Sequence, residues 1–262
     1  MGGHRLLLLD TSAPDGDAGR MTVETLLQTE WNEPQGIAPR GTVVLVGGRA
    51  ENAAVYQRFG RRIAFDAYRV RFVEGDLSDL DRVSRDIDAV LRDPGTVLPT
   101  LLLGSDTGAA LALDHVARRT DLEQPDAVAV AGLTFPDDAT ASFDDELLVR
   151  TACPNHRGVL EREGVDHVLA AADVHVERPA EGSIFVPLLV VHGEADEVSA
   201  VDDVRETVRG VGAHTEVVTI DGGLHDVLND VTHRTVAATV VRFLERLKRG
   251  ADLQPIATEE RW

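Results

Sequence analysis

The stretch TLLLGSDTGAALAL runs from Thr100 to Leu113. An apolar run, Leu101-Leu102-Leu103, leads into Gly104-Ser105-Asp106-Thr107-Gly108, and an alanine-rich helical segment follows at once. Glycines on both sides of a tight strand-to-helix turn remove Cβ clashes and allow a strained backbone between them. The side chain at the apex is then presented at a helix N-terminus, where partial positive charge favours an anion. This is the layout of a G-x-S-x-G nucleophile elbow, with Asp106 where the serine would stand. Three readings of Asp106 stand at this point: an active nucleophile, a disabled serine site, or a helix N-cap, a position Asp favours on its own account. Ser105 is one residue off the apex, so its side chain is expected to point elsewhere.

Outward from this turn the pattern repeats. TVVLV (Thr42–Val46), RVRFVEGD (Arg69–Asp76), AVAVAGL (Ala127–Leu133), PLLVVHG (Pro187–Gly193) and HTEVVTI (His214–Ile220) read as strands. Between them, Glu51–Ala67, Ser78–Asp93, Gly108–Arg119, Ala200–Val211 and Val227–Lys248 read as helices, with Ser78 as the cap of the second. The segment Met21–Trp31 reads as an early edge strand behind an exposed loop at Ser12–Arg20. Alternating strands and helices predict an α/β fold: a mostly parallel sheet covered on both faces, one domain over residues 1–262. The less regular region from about Thr134 to Phe185 is expected to form a small lid-like insertion.

Ligands of such sheets sit at the carboxyl ends of the strands, which directs attention to two further strand ends. In VHGEADEVSAVDD (Val191–Asp203), Asp196 follows a buried strand that ends in His192-Gly193. A carboxylate there can orient an imidazole and stabilise the charge it gains; a loop or capping role is the alternative. In TIDGGLHDVLND (Thr219–Asp230), His225 follows two glycines, just before the last helix. Its unperturbed pKa near neutrality suits a general base, although any of nine histidines can also be structural. Nucleophile position, acid and histidine in that chain order, each after a strand, is the order of the α/β-hydrolases.

Composition excludes several function classes. The 262 residues include 45 acidic and 26 basic ones, for a net charge of −19. Nucleic-acid binding needs a basic face, so nucleic acid is not an expected partner, and an anionic membrane surface is disfavoured likewise. With 43% hydrophobic residues the chain can build a substantial core. Cys153 is the only cysteine, which rules out an intrachain disulfide. The apolar run Leu6–Leu9 is far below the roughly 18 residues of a membrane span, so a cytoplasmic protein acting on a small molecule is expected. The sequence leaves the oligomeric state open.

From Thr42 to Lys248 the chain resembles the α/β-hydrolase fold superfamily. VVLVGGRAENAAVY (Val43–Tyr56) resembles the HGRGEHSGRY-type segment of monoacylglycerol-lipase and lysophospholipase-like enzymes. Gly47 replaces the usual histidine there, and Gly48 matches the following glycine. VHGEAD resembles the acid-bearing HGxxD, and GGLHDVL the histidine loop. The resemblance implies a triad of Asp106, His225 and Asp196, an oxyanion hole from the backbone N–H groups of Arg49 and Thr107, and no cofactor.

Aspartate at the apex resembles haloalkane dehalogenases, fluoroacetate dehalogenases and soluble epoxide hydrolases. There a carboxylate attacks carbon, and the histidine activates water to hydrolyse the resulting ester. The helpers of those families are missing. Thr107 stands where dehalogenases usually place a halide-binding tryptophan; the only tryptophans are Trp31 and Trp262. The only tyrosines, Tyr56 and Tyr68, precede the insertion, and Arg49-Ala50 replaces the end of an H-G-x-P motif. A catalytically silent, ligand-binding or non-hydrolytic member of the same fold is the alternative reading.

The insertion carries DELLVRTACPNHRGVLE (Asp145–Glu161), in which Cys153, His156 and Arg157 are concentrated. One Cys and one His are too few for a structural zinc site, so no metal is expected. Two readings stand: a lid helix ended at Cys153-Pro154 and tied by side-chain hydrogen bonds, or His156 and Arg157 reaching a polar substrate. Gly48 and Ser105 complete the substrate-binding candidates. For Arg49 the choice is between a substrate anion and a surface ion pair.

Overall fold

The computed structural model describes residues 29–119, 124–137, 145–165, 168–169, 174–258 and 260. The Leu6–Leu9 run, the Ser12–Arg20 loop, most of the Met21–Trp31 segment and Trp262 lie outside these residues. Seven strands form one sheet: β1 (Glu30–Trp31), β2 (Gly41–Val46), β3 (Tyr68–Val73), β4 (Thr100–Ser105), β5 (Ala127–Ala131), β6 (Leu188–Gly193) and β7 (Thr215–Ile220). Their order is β1-β3-β2-β4-β5-β6-β7, and every pair is parallel except β1 with β3.

The uninterrupted apolar runs become the strands β2, β4, β5 and β6, buried along their whole length. Successive side chains point to opposite faces, so each strand feeds two cores. On one face Val43, Leu45, Leu101, Leu103 and Val191 pack with Phe59 and Ile63 of α1 (Gln57–Phe65) and Val240 and Phe243 of α7 (His233–Leu247). On the other, Val44, Val46, Leu102, Val128 and Val190 meet three helices. These are α2 (Leu80–Leu91), α3 (Thr107–Ala117) and α6 (Val201–Thr207). Two short helices, α4 (Glu146–Arg150) and α5 (Pro154–Glu163), lie in the connection from β5 to β6.

Several boundaries differ from the sequence reading. The cap of α2 is Asp79, which accepts from the Arg82 N–H at 2.8 Å, while the Ser78 hydroxyl turns back to Asp76. Helix α1 starts at Gln57 rather than Glu51, because Glu51 is buried and accepts the Gly48 N–H instead of continuing a helix. The last helix starts at His233, not Val227. Asp230 accepts from Thr151 Oγ1, the Ala152 N–H and the Leu224 N–H, and so holds residues 224–230 in a loop. The break at Cys153-Pro154 separates two helices: α4 ends at Arg150, and Pro154 opens α5 at a position where its missing N–H costs nothing.

The sheet order places a switch point between β2 and β4, whose chains leave in opposite directions toward β3 and β5. Open parallel sheets bind ligands in the crevice at such a point. Here it brings the loop after β2, with Gly48 and Arg49, against Asp106 at the end of β4.

Candidate active site

The elbow is built as its glycines dictate. Asp106 has φ 52° and ψ −126°, a conformation that costs a non-glycine residue on the order of 1–3 kcal/mol. A Cβ on Gly104 would lie 2.1 Å from the Gly108 carbonyl oxygen, and one on Gly108 would lie 2.3 Å from that of Gly47. Both positions therefore need glycine for the turn to close. Asp106 occupies the N-cap position of α3, yet its side chain makes no cap hydrogen bond. The carboxylate turns instead to His225 and Arg49.

His225 Nε2 is 3.3 Å from Asp106 Oδ1, and His225 Nδ1 is 2.9 Å from Asp196 Oδ2. The three side chains anticipated at three strand ends thus stand in one chain of contacts. Asp196 is fixed further by the N–H groups of Val198 and Ser199 on Oδ1 and by His192 Nε2, 3.1 Å from Oδ2. His192, read as a strand-end residue, is therefore a second imidazole on the same carboxylate.

Arg49 is neither a surface ion pair nor open to solvent. Its Nε and Nη2 contact Asp106 Oδ2 and Oδ1 at 3.1 and 2.8 Å, its backbone N–H donates to Oδ2 at 2.9 Å, and Nη1 donates to the Leu169 carbonyl at 3.0 Å. Arg49 and Asp106 are each only 4% exposed, and His225 is 1% exposed. A buried cation must have a buried counter-ion, and the strained elbow supplies it. Thr107 is fully buried, with its hydroxyl 3.5 Å from Asp106 Oδ2. Gly48 directs its N–H to Glu51 Oε2 and the Tyr56 hydroxyl, both at 3.0 Å, and packs close enough to Asp106 that a Cβ would meet it at 2.7 Å. Ser105 is buried, with its side chain at the Tyr56 hydroxyl.

The charges follow from this packing. Burial opposes ionisation of Asp106, but Arg49 and His225 outweigh it and hold the carboxyl well below its ordinary range. Burial likewise favours a neutral His225, but Asp196 and Asp106 overcome it and push the ring up to about 10. Asp196 is held low, against burial, by His225 and His192. At neutral pH the site is an alternating row: Arg49 cation, Asp106 anion, His225 cation, Asp196 anion.

His156, singled out in the insertion, does not reach this row. Its Nε2 lies 2.9 Å from Asp226 Oδ2, in a second buried network centred on Arg150. Arg150 Nε contacts both Asp226 oxygens, Nη1 donates to the Val165 carbonyl at 2.8 Å, and Nη2 pairs with Glu51. Arg157 follows on α5, its N–H donating to the Cys153 carbonyl. Sequence reasoning missed Glu51, Arg150 and Asp226. Their only signal was adjacency, since Asp226 follows His225 and Glu51 follows the Arg49 loop. Among the described residues, no group of three or more His, Cys, Asp or Glu side chains is arranged to hold a metal ion. Nor is any helix long and apolar enough to cross a membrane.

No protein-family model matches the sequence, and no curated protein matches it either. Solved structures do. The monoacylglycerol lipase of Paleococcus ferrophilus aligns over 82% of this chain and 96% of its own, with TM-score 0.65 and 15% identity. A soluble variant of the Saccharomyces cerevisiae monoglyceride lipase aligns over 82% and 90%, with TM-score 0.60 and 14% identity. Bromoperoxidase from Bacillus anthracis aligns over 82% and 94%, also with TM-score 0.60 and 14% identity. Together with the seven-stranded sheet, these likenesses establish the α/β-hydrolase fold.

Proposed function

We propose that this α/β-hydrolase-fold protein is a hydrolase of small organic molecules in which Asp106 is the nucleophile, His225 the base and Asp196 the group that orients and charges the imidazole. The observation that carries this reading is the row of contacts from the strained elbow through His225 to Asp196, at 3.3 and 2.9 Å. Oδ2 of Asp106 accepts the Arg49 backbone N–H, the place of an oxyanion-hole contact. That leaves Oδ1, beside His225, as the attacking atom. Oδ1 forms a bond to carbon, the leaving group departs with its electron pair, and an ester remains on Asp106. Water then attacks the ester carbonyl carbon, His225 takes its proton, and charge builds on Oδ2 in front of the Arg49 N–H. Collapse releases the alcohol and restores the carboxylate.

The charge row gives the sequence of events a physical order. Esterification removes the negative charge of Asp106, one of the two anions that hold a proton on His225. The imidazole then releases that proton, to the departing oxygen of an epoxide or to solvent when halide leaves, and serves as base in the second step. Attack also requires the Arg49 guanidinium to withdraw, because it occupies both carboxylate oxygens. The insertion, tied to Arg49 through the Leu169 carbonyl, acts as the lid whose opening moves it. The experiment is mass spectrometry of H225A protein after exposure to ester, epoxide and haloacid panels. A covalent adduct on the Asp106 peptide supports the reading, and its absence across the panels counts against it.

A second reading, a ligand-binding member silent in hydrolysis, is favoured by one specific observation: each Asp106 oxygen already accepts two N–H donors. Under it, neither H225A nor a variant freed of Arg49 forms an adduct.

A further inference from the structure

A cavity of about 370 Å³ lies between α1 and α5, and none of Asp106, Asp196 or His225 lines it. Its ionisable lining residues are Arg58, Arg61 and His156, with no carboxylate among the described residues that form its wall. In a chain of net charge −19 that is a local reversal of sign. Arg58 spends its two Nη groups on neutral partners, the Asn229 carbonyl and Cys153 Sγ, the latter at 3.3 Å. No carboxylate pairs with Arg58 or Arg61 among the described residues. The neighbouring His233 has its proton affinity lowered by burial and by the charges of Arg58 and Arg234, which agrees with a surplus of positive charge here.

The second observation is independent of charge. Asn229 lines the same cavity, is 2% exposed, and its Oδ1 has no hydrogen-bond partner among the described residues. A buried amide oxygen without a donor costs free energy that a suitable ligand would recover. Asn155 at the start of α5 adds a further polar group to the wall, and Val55 and Val159 give it an apolar side. This is the composition of a small-molecule site: mostly apolar walls and a few convergent polar groups.

We propose that this cavity binds a small oxyanion that also carries an O–H donor, such as a hydroxycarboxylate or a hydrogen phosphate. Arg58 and Arg61 take the oxyanion, since a guanidinium fork matches carboxylate and phosphate geometry, and Asn229 Oδ1 accepts from the O–H. Phosphate and carboxylate sources share this chemistry and are separated by the ligands tested. The proposal is independent of the triad.

The test is isothermal titration calorimetry of the full chain at pH 7 and fixed ionic strength with four ligands: inorganic phosphate, sulfate, malate and succinate. Phosphate or malate is expected to bind saturably. Its counterpart lacking the O–H, sulfate or succinate, should bind about tenfold more weakly, the effect of one hydrogen bond to a buried group. Arg61 makes no ion pair among the described residues, so R61A tests the site without disturbing the fold. It should lower the affinity about tenfold as well, with R61K restoring part of it. N229A should abolish the difference between malate and succinate. Absence of saturable binding by all four ligands overturns the proposal, as does unchanged affinity in R61A. Equal binding of the paired ligands overturns the role of Asn229.

Discussion

Arg49 holds Asp106 from two directions at once, its backbone N–H at 2.9 Å on Oδ2 and its guanidinium across both oxygens. In the proposed reaction the backbone contact is one that the ester keeps, because the tetrahedral intermediate would place its negative charge on that same oxygen. The guanidinium contact is one that attack must break, because Nη2 takes one lone pair of Oδ1 while His225 faces the other. In the proposed reaction one residue thus supplies both the oxyanion donor and the block.

Replacing Arg49 by alanine separates these two effects. The backbone N–H stays, while Asp106 loses one of its two buried charged partners and keeps His225. Breaking a buried pair by removing one member costs about 3–5 kcal/mol, so R49A should melt well below the parent. In R49A/H225A, adduct formation on Asp106 should be faster than in H225A alone. A variant that is less stable and no more reactive would count against Asp106 as nucleophile. R49K should not restore the parent, since a lysine cannot span both oxygens.

Asp106→Asn tests the charge row directly. It removes one of the two anions that raise His225, so the imidazole should titrate below the value of about 10 it has in the parent. NMR of ring-labelled histidine across pH 6 to 11 reads this shift. An unmoved His225 would mean that Asp196 alone sets its charge and that esterification could not release the proton.

The elbow, the acid and the histidine were legible in the sequence because each follows a strand and is marked by glycines or a strand end. The parallel sheet was legible for a related reason, since β2, β4, β5 and β6 are continuous apolar runs. Arg49 was visible only as a residue of the loop after β2. Its burial depends on β2 lying beside β4, a pairing between strands 50 and more residues apart that no local pattern states. Arg150, Glu51 and Asp226 come from three separate loops and helices, and each looks like a surface charge until the chain brings them together. The helix starts at Gln57 and His233 were hidden for the same reason, because buried partners of Glu51 and Asp230 overrode local periodicity.

The Arg150 network ties the insertion to the loop after β2 and to the residue next to His225. Arg150→Met keeps most of the side-chain volume but leaves buried Glu51 without its cation and Asp226 with His156 alone. The expected cost is about 3–5 kcal/mol, read by urea unfolding. Adding E51Q and D226N to R150M should recover much of it, because the neutral amides no longer need a cation. If R150M alone unfolds at the same urea concentration as the parent, the network does not hold the insertion in place.

The pH dependence of stability follows from the same charges with opposite signs at the two ends. His225 is raised from 6.5 to about 10 in the folded protein. Its contribution is therefore fully present below pH 6.5 and is lost as the pH rises through 10. Asp106 is lowered in the folded protein, so its contribution is present above the unfolded carboxyl value of about 3.9 and is lost as the pH falls through the depressed one. Unfolding free energy measured across pH 3 to 11 should show a decline from pH 6.5 to 10 that D106N makes smaller. A flat profile over that alkaline interval in the parent would show that His225 is not held as a cation between Asp106 and Asp196.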